Sequence, residues 1–481
     1  MISQDLMAPI MFGGLIVFLL IGYPAAFSLG ALGLFFSFIG IEMGMFQPTF
    51  LQALPDRVFG ILSNDLLLSI PFFTFMGAIL EKCGLAEDML EGLGQLFGPI
   101  RGGLAYAVII VGAILGAITG TVAASVIAMG LISLPIMLRY GYNPRVATGV
   151  IAASGTITQL IPPSLVLIVL ADQLGKSVGD MYAGAIGPSI IQIILFCLFI
   201  LFLSIFRPQD VPALPPEARP KIDWKLFKKI LWGIVPSIAL IFLVLGTILM
   251  GLATPTEGGA MGSVGALVLA AMNGRLQKTL VWDAMTSTMR INAMVIFILI
   301  GSTVFGLAFR GVDGDLWIEH LLSGLPGGQV GFLIVVNLFV FFLAFFLDYF
   351  EIAFIIIPLL APVAQKLGID LIWFGVLLGA NMQTSFMHPP FGFALFYLRG
   401  VAPKSVKSSD IYYGALPWVG LQLILVAIII FVPETVTYFI DKPAIAVDAN
   451  AISVDPLAGV EQNEITVDSS SEIERQLREN K

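Results

Sequence analysis

Charge is scarce in this chain: of its 481 residues only 12% are Asp, Glu, Lys or Arg, while 58% are hydrophobic. A soluble domain carries about 25% charged residues, so a water-facing globule is excluded. Long stretches hold no charge at all, and the mean hydropathy is +0.97. This pattern reads as an all-α polytopic membrane protein. The apolar runs are continuous rather than alternating, which excludes an outer-membrane barrel. Cysteine is nearly absent; Cys83 and Cys197 stand alone in unrelated segments and read as small apolar side chains. The only histidines, His320 and His388, lie far apart, with no HExxH motif and no Cys/His set of metal-ligand spacing. There is no GxxxxGK[ST] loop, so ATP is not this chain's energy source. No nucleophile–base constellation suggests an enzyme, and no cofactor or nucleic-acid partner is expected. Met1 to Pro9 carries Asp5 but no Lys or Arg, so the first apolar run is expected to stay as a membrane helix rather than a signal peptide.

What the chain does have is an internal repeat. A shift of 227 positions lays Pro135 on Pro362, Gly141 on Gly368, Ala153 on Ala380, and the pair Pro162-Pro163 on Pro389-Pro390. After a three-residue insertion, Asp180, Tyr182 and Gly184 meet Asp410, Tyr412 and Gly414. A proline removes a backbone donor and frees carbonyls, which in lipid must find other partners. Matching interrupted segments in two halves of a chain point to a transport site.

The segmentation expected from the apolar runs is an N-terminal transmembrane segment (1–65), a first repeat (66–206), a basic linker with connector helices (207–282), a second repeat (283–433) and an acidic, disordered tail (434–481). Residues 7–40 are expected to cross once as a bent, tilted helix with Gly22-Tyr23-Pro24 at the bend, a helix pair being the alternative. Residues 101–139 and 327–366 each run close to forty residues with a polar break midway and charged flanks, as re-entrant hairpins would. Two full crossings with a tight turn is the other reading. Each hairpin is followed by a broken helix, 145–174 and 370–399. With three crossings per repeat and two connector helices, the second copy lies upside down relative to the first. Basic residues agree with this parity. Arg207, Arg219, Lys221, Lys225, Lys228 and Lys229 mark the cytoplasmic side, while Arg310 and Lys366 fall opposite. The N-terminus is then cytoplasmic and the tail external.

Polar groups at membrane depth are costly and point to function. They gather at the breaks. The first hairpin tip offers Thr119, Gly120, Thr121 and Ser125; the first broken helix offers Ser154, Gly155, Thr156, Thr158, Gln159 and Ser164 around Pro162-Pro163. The second tip offers Asp348 and Glu351; the second broken helix offers Asn381, Gln383, Thr384, Ser385 and His388 before Pro389-Pro390. Hydroxyl and amide oxygens with freed carbonyls suit Na+, with Thr119, Thr121, Ser154, Thr158, Asp348 and Ser385 as candidate ligands, and half-helix N-termini favour an anionic group. His388 reads as a hydrogen-bonded neighbour of Pro389 or as a proton-linked ligand. Glu257, after Thr254-Pro255-Thr256, reads as a helix cap.

The run Gly120-Thr121-Val122-Ala123-Ala124-Ser125, with Leu134-Pro135, Arg139-Tyr140-Gly141-Tyr142, Ala152-Ala153-Ser154-Gly155-Thr156 and Ile161-Pro162-Pro163-Ser164, resembles the large membrane subunit of tripartite ATP-independent periplasmic (TRAP) transporters. Ala253-Thr254-Pro255-Thr256-Glu257, Gly368-Ile369-Asp370 and Pro389-Pro390 are similar to the same family, and the match spans about residues 60 to 433. The resemblance implies an elevator-type, Na+-coupled importer of a small organic acid in the bacterial inner membrane. It also implies two partners, a small four-helix membrane subunit, expected as a separate chain, and a periplasmic solute-binding protein. A stand-alone ion-coupled carboxylate carrier is the alternative. The second tip departs from the family's Leu-Asp-Pro-Thr pattern: Leu347-Asp348 is followed by Tyr349-Phe350-Glu351. The first tip, Thr119-Gly120-Thr121, also departs from the common Ser-rich form. The added carboxylate points away from a C4-dicarboxylate and toward a monocarboxylate or less charged solute.

Overall fold

The computed structural model describes residues 4–218 and 224–440. Arg219 and Lys221 of the basic stretch, and the tail from Asp441 onward, lie outside the described residues. In lipid every backbone polar group must be paired within the protein, and the apolar runs accordingly fold as helices. Among the described residues seven helices are long and apolar enough to cross a membrane, or up to nine if each of two bent pairs is one span.

Helices α1 (Gln4–Ile21) and α2 (Ala25–Glu42) correct the expectation of a single crossing. Gly22 takes a left-handed φ of 90° and Pro24 lacks a donor, so the chain reverses there. Gly14 and Leu32, equally far from the turn, then face each other, a Cβ at Gly14 lying 3.7 Å from Leu32 Cδ2. The segment is an antiparallel helix pair.

After α3 (Leu54–Leu62), the first repeat runs α4 (Ser69–Lys82), α5 (Leu85–Phe97), α6 (Gly103–Thr119), α7 (Val122–Arg139), α8 (Pro144–Thr156), α9 (Leu165–Leu174) and α10 (Val178–Phe206). Connector α11 (Trp224–Ile241) passes through a π turn into α12 (Thr247–Leu249), and α13 (Pro255–Met272) follows. The second repeat has the same order: α14 (Lys278–Gly311), α15 (Gly314–Ser323) and α16 (Gly328–Leu343) come first. Next, α17 (Tyr349–Glu351) continues through a π turn into α18 (Ile357–Lys366), followed by α19 (Leu371–Met382), α20 (Phe393–Val401) and α21 (Ser408–Phe431). Short helices α5 and α15, which the apolar runs did not reveal, occupy equivalent places between membrane helix and hairpin. The repeat extends to caps: Asn143 and Asp370, 227 apart, accept from the backbone N–H of Arg145 and Trp373 at the starts of α8 and α19. The chain stays structured past 434, the expected start of the tail: in α22 (Glu434–Thr437), Val436 is fully buried against α10.

Two sets of contacts organise the bundle. Helix α2 lies along α14 and α4 along α13. The hairpins and broken helices form the other set, with α8 held by α6, α7 and α21, and α19 by α9, α10 and α21. At one end, Arg145 of α8 pairs with Asp410 of α21, Nε to Oδ1, at 3.2 Å. At the place equivalent to Arg145 in the other repeat stands Ile372, whose Cγ2 packs 3.2 Å from a Cβ position on Gly184 of α10.

Glu257 caps as expected. Thr254 Oγ1 accepts from Glu257 N (3.2 Å) and Glu257 Oε2 from Thr254 N (2.8 Å), a reciprocal capping box at the start of α13. Thr254→Ala should lower stability by about 1 kcal/mol, read as a lower thermal unfolding midpoint in detergent. An unchanged midpoint would mean that water replaces the hydroxyl without loss.

Candidate ion and substrate site

The first hairpin turns at Gly120, whose φ of 62° closes α6 and lets α7 start two residues later. Its outgoing arm returns the Ser125 side chain to the tip. Thr119 Oγ1 donates to Leu115 O (2.9 Å) and lies 3.1 Å from Ser125 Oγ. Thr158 Oγ1 of the first broken helix reaches Gly155 O at 2.6 Å and Ser125 Oγ at 3.4 Å. Three buried hydroxyls from three segments thus form one line across the hairpin tip and the break. Glycines make this approach possible. A Cβ on Gly112 would stand 2.6 Å from Ser154 Cβ and 2.9 Å from Ser154 O, and one on Gly116 would stand 3.0 Å from Thr158 Cα. The pair Gly112/Gly116 therefore seats Ser154 and Thr158 at the same four-residue spacing.

Several buried polar atoms here have no partner: Ser154 Oγ, both amide atoms of Gln159, Asn381 Oδ1, Gln383 Nε2 and Ser385 Oγ. Leaving such a group unpaired costs about 1–3 kcal/mol, so their concentration at the two breaks marks a place built for something polar. Ser154 and Asn381 are repeat equivalents, as are Thr158 and Ser385. Other polar atoms here are committed to the backbone. Ser164 Oγ donates to Gln159 O and caps α9 by accepting from Val166 N (3.2 Å). Asn381 Nδ2 donates to Asn337 O (2.7 Å), and Thr384 Oγ1 to Asn381 O (2.7 Å). Thr121 is half-buried at the start of α7, where its side chain makes no cap bond. Pro162-Pro163 and Pro389-Pro390 are both cis and stand at the two interruptions.

The second tip is built differently. Asp348 Oδ1 accepts from Glu351 N (2.9 Å) and Glu351 Oε2 from Asp348 N (3.1 Å), so the two carboxylates form a capping box on α17. Each accepts from the other residue's backbone N–H rather than from the hydroxyls of the first tip. His388 is not hydrogen-bonded beside Pro389: both ring nitrogens lack partners, and the ring lies between Phe341 and Phe345, with centroids at 4.3 and 4.2 Å. The correction is one of packing, because the two phenylalanines come from the hairpin, more than forty residues upstream.

Two residues of this region escaped the sequence reading. Gln192 of α10 and Gln422 of α21 are fully buried; Gln192 Nε2 donates to Gln383 Oε1 and Gln422 Nε2 to Thr156 Oγ1, each at 2.9 Å. The 230-position shift that pairs Asp180 with Asp410 also pairs these glutamines, and following it further along α10 finds them.

Polar-tipped helical hairpins packed on broken helices, twice in one chain, define a multi-pass membrane carrier. The solved YdaH transporter of Alcanivorax borkumensis shares the fold, with a TM-score of 0.56 and 16% identity over 79% of this chain and 86% of that one. The chain belongs to the DctM component family of tripartite ATP-independent periplasmic transporters, whose family model matches residues 12–435. Similar curated proteins include the C4-dicarboxylate TRAP transporter large permease protein DctM of Rhodobacter capsulatus, 29% identical over 89% of this chain and 97% of that protein. The isethionate TRAP transporter permease protein DctMQ of Oleidesulfovibrio alaskensis is 26% identical over 90% of this chain and 66% of its own length. The sialic acid TRAP transporter permease protein SiaT of Haemophilus influenzae is 24% identical over 88% and 66%. The relatives are transporter permeases, and the chain is a multi-pass protein of the bacterial inner membrane.

Proposed function

We propose that this chain carries a small organic acid inward by Na+-coupled secondary transport, working with a four-helix membrane subunit and a periplasmic solute-binding protein. The supporting observations are the line Thr119–Ser125–Thr158 with the unpaired Ser154 oxygen at the first break, and the unpaired oxygens of Asn381 and Ser385 at the second. Among the described residues no three His, Cys, Asp or Glu side chains gather as a metal site. The donors at the breaks are therefore neutral hydroxyl, amide and backbone oxygens, a set suited to a hard monovalent cation. A cavity of about 330 Å³ lined by Arg57, Asn64, Asp172 and Arg310 lies between α3, α14 and the second hairpin; Arg310 is paired with Asp315 (3.4 Å), which leaves Arg57 with Asp172 in the lining. The two repeats form an inverted pair on the parity of three crossings per repeat and two connector helices, and hairpins and broken helices move as one body against the remaining helices.

Uptake into proteoliposomes containing both membrane subunits tests this reading: accumulation should require a Na+ gradient and the loaded binding protein. Transport without the binding protein would replace it with a self-sufficient carrier.

The solute we favour has a single carboxylate, because Glu351 adds a second acidic side chain beside Asp348 at the second tip. Glu351→Gln keeps an acceptor for Asp348 N, so the cap survives while the charge goes. The ratio of KM for a dicarboxylate to KM for a monocarboxylate should then fall about tenfold, a modest share of the roughly 4 kcal/mol between two charges 4 Å apart at an effective dielectric constant of about 20. Unchanged kinetics would leave Glu351 with its capping role alone.

A further inference from the structure

The two glutamine bonds exchange partners between the repeats. Gln192 closes the first repeat but binds Gln383 of the second; Gln422 closes the second but binds Thr156 of the first. The partners are themselves equivalent, since the shift of 227 lays Thr156 on Gln383. Both bonds land on the same feature. Thr156 is the last residue of α8 before the 3-10 turn Ile157–Gln159, and Gln383 is the first residue of the 3-10 turn Gln383–Met387 after α19. There the i to i−4 ladder gives way to tighter bonding, and the backbone is least constrained by its own helix. Thr156 stands between Ser154 and Thr158; Gln383 stands between Asn381 and Ser385.

Stability alone gives little reason for these amides. Replacing both partners of a buried hydrogen bond by apolar groups of the same shape is often nearly neutral. Each glutamine also leaves its own carbonyl oxygen, Gln192 Oε1 or Gln422 Oε1, without a partner, which adds a cost that leucine would avoid. A direction-specific bond at an unwinding helix end does supply something leucine cannot, a fixed azimuth for the residues on either side.

We infer that Gln422 and Gln192 are crossed positioning residues: Gln422 of the second repeat sets the geometry of Ser154 and Thr158 in the first, and Gln192 of the first sets that of Asn381 and Ser385 in the second. The inference rests on reading those four residues as ligands of the transported ion or solute.

The test is a set of double-mutant cycles in reconstituted uptake with both membrane subunits and the binding protein. Gln422→Leu and Thr156→Val should each raise the half-saturating Na+ or solute concentration by about tenfold, the scale of one buried hydrogen bond, with a smaller change in maximal rate. The double variant should be no worse than either single one. Thr156→Ser, which keeps the hydroxyl, should behave as wild type, and Gln422→Leu should combine additively with Ser385→Ala. Gln192→Leu should show the mirror pattern, non-additive with Gln383→Leu and additive with Thr158→Val. Additivity of Gln422→Leu with Thr156→Val, or a fall in maximal rate with unchanged half-saturation, would overturn the assignment. A wild-type carrier indifferent to Na+ would defeat the coupling-ion reading instead, and the cycles on solute KM would still decide this one.

Discussion

In the Na+-coupled transport proposed above, Gly112→Ala should reduce uptake by up to ~100-fold while the protein still reaches the membrane. The new methyl would meet Ser154 O at 2.9 Å, and a carbonyl on a packed helix cannot swing away as a side-chain end can. The arm and the broken helix must separate by several tenths of an ångström. Overpacking of this kind costs about 1–3 kcal/mol, which a large membrane helix bundle survives. Function is less forgiving, because displacement of a reacting or binding group by about 1 Å can cost about 100-fold. Ser125 and Thr158 already touch at only 3.4 Å, so little separation breaks the line. Gly400→Ala is the matched control: that glycine has open space around its Cβ position and should tolerate the change with near-normal uptake. Wild-type rates from Gly112→Ala would show that the close approach of α6 and α8 has no part in transport.

Thr158→Val should be equally damaging by a different route. Valine keeps the shape but removes the oxygen that bonds Gly155 O and Ser125 Oγ, leaving the Gly155 carbonyl without that donor. An unpaired buried group costs about 1–3 kcal/mol, so a rise of ten- to a hundred-fold in the half-saturating Na+ concentration is expected (about 1.4 kcal/mol per tenfold). Thr158→Ser should restore wild-type dependence. If valine leaves the Na+ titration where it was, the first break is not where the coupling ion sits.

Much of this architecture was legible before any coordinates. The proline pairs, the glycines at 141 and 368 and the polar midpoints of two overlong segments located both hairpins and both breaks. They did so because lipid permits interruption of a helix only where protein can receive the freed groups. What stayed hidden depended on partners distant in sequence. The reversal at Gly22 reads equally as a bend until Leu32 is seen against Gly14. Asp348 and Glu351 looked like two isolated charges at a tip, although their three-residue spacing is also that of a capping box. His388 depended on two phenylalanines of the opposing hairpin arm. Gln192 and Gln422 were overlooked because each sits in a long unbroken helix, away from the interruptions that drew attention, and acts on the other repeat.

The Arg145–Asp410 pair, whose counterpart in the other repeat is Ile372 against Gly184, makes the two repeats respond differently to electrolyte. Added salt screens a partly exposed ion pair, worth no more than about 1 kcal/mol, but does not screen an apolar contact. Any electrolyte, transported or not, would therefore loosen the contact of α8 with α21 and leave its counterpart at Ile372 as it was. A Na+ titration run without an inert cation to hold ionic strength constant would fold that loosening into the apparent affinity, and Arg145→Gln is the variant that separates the two.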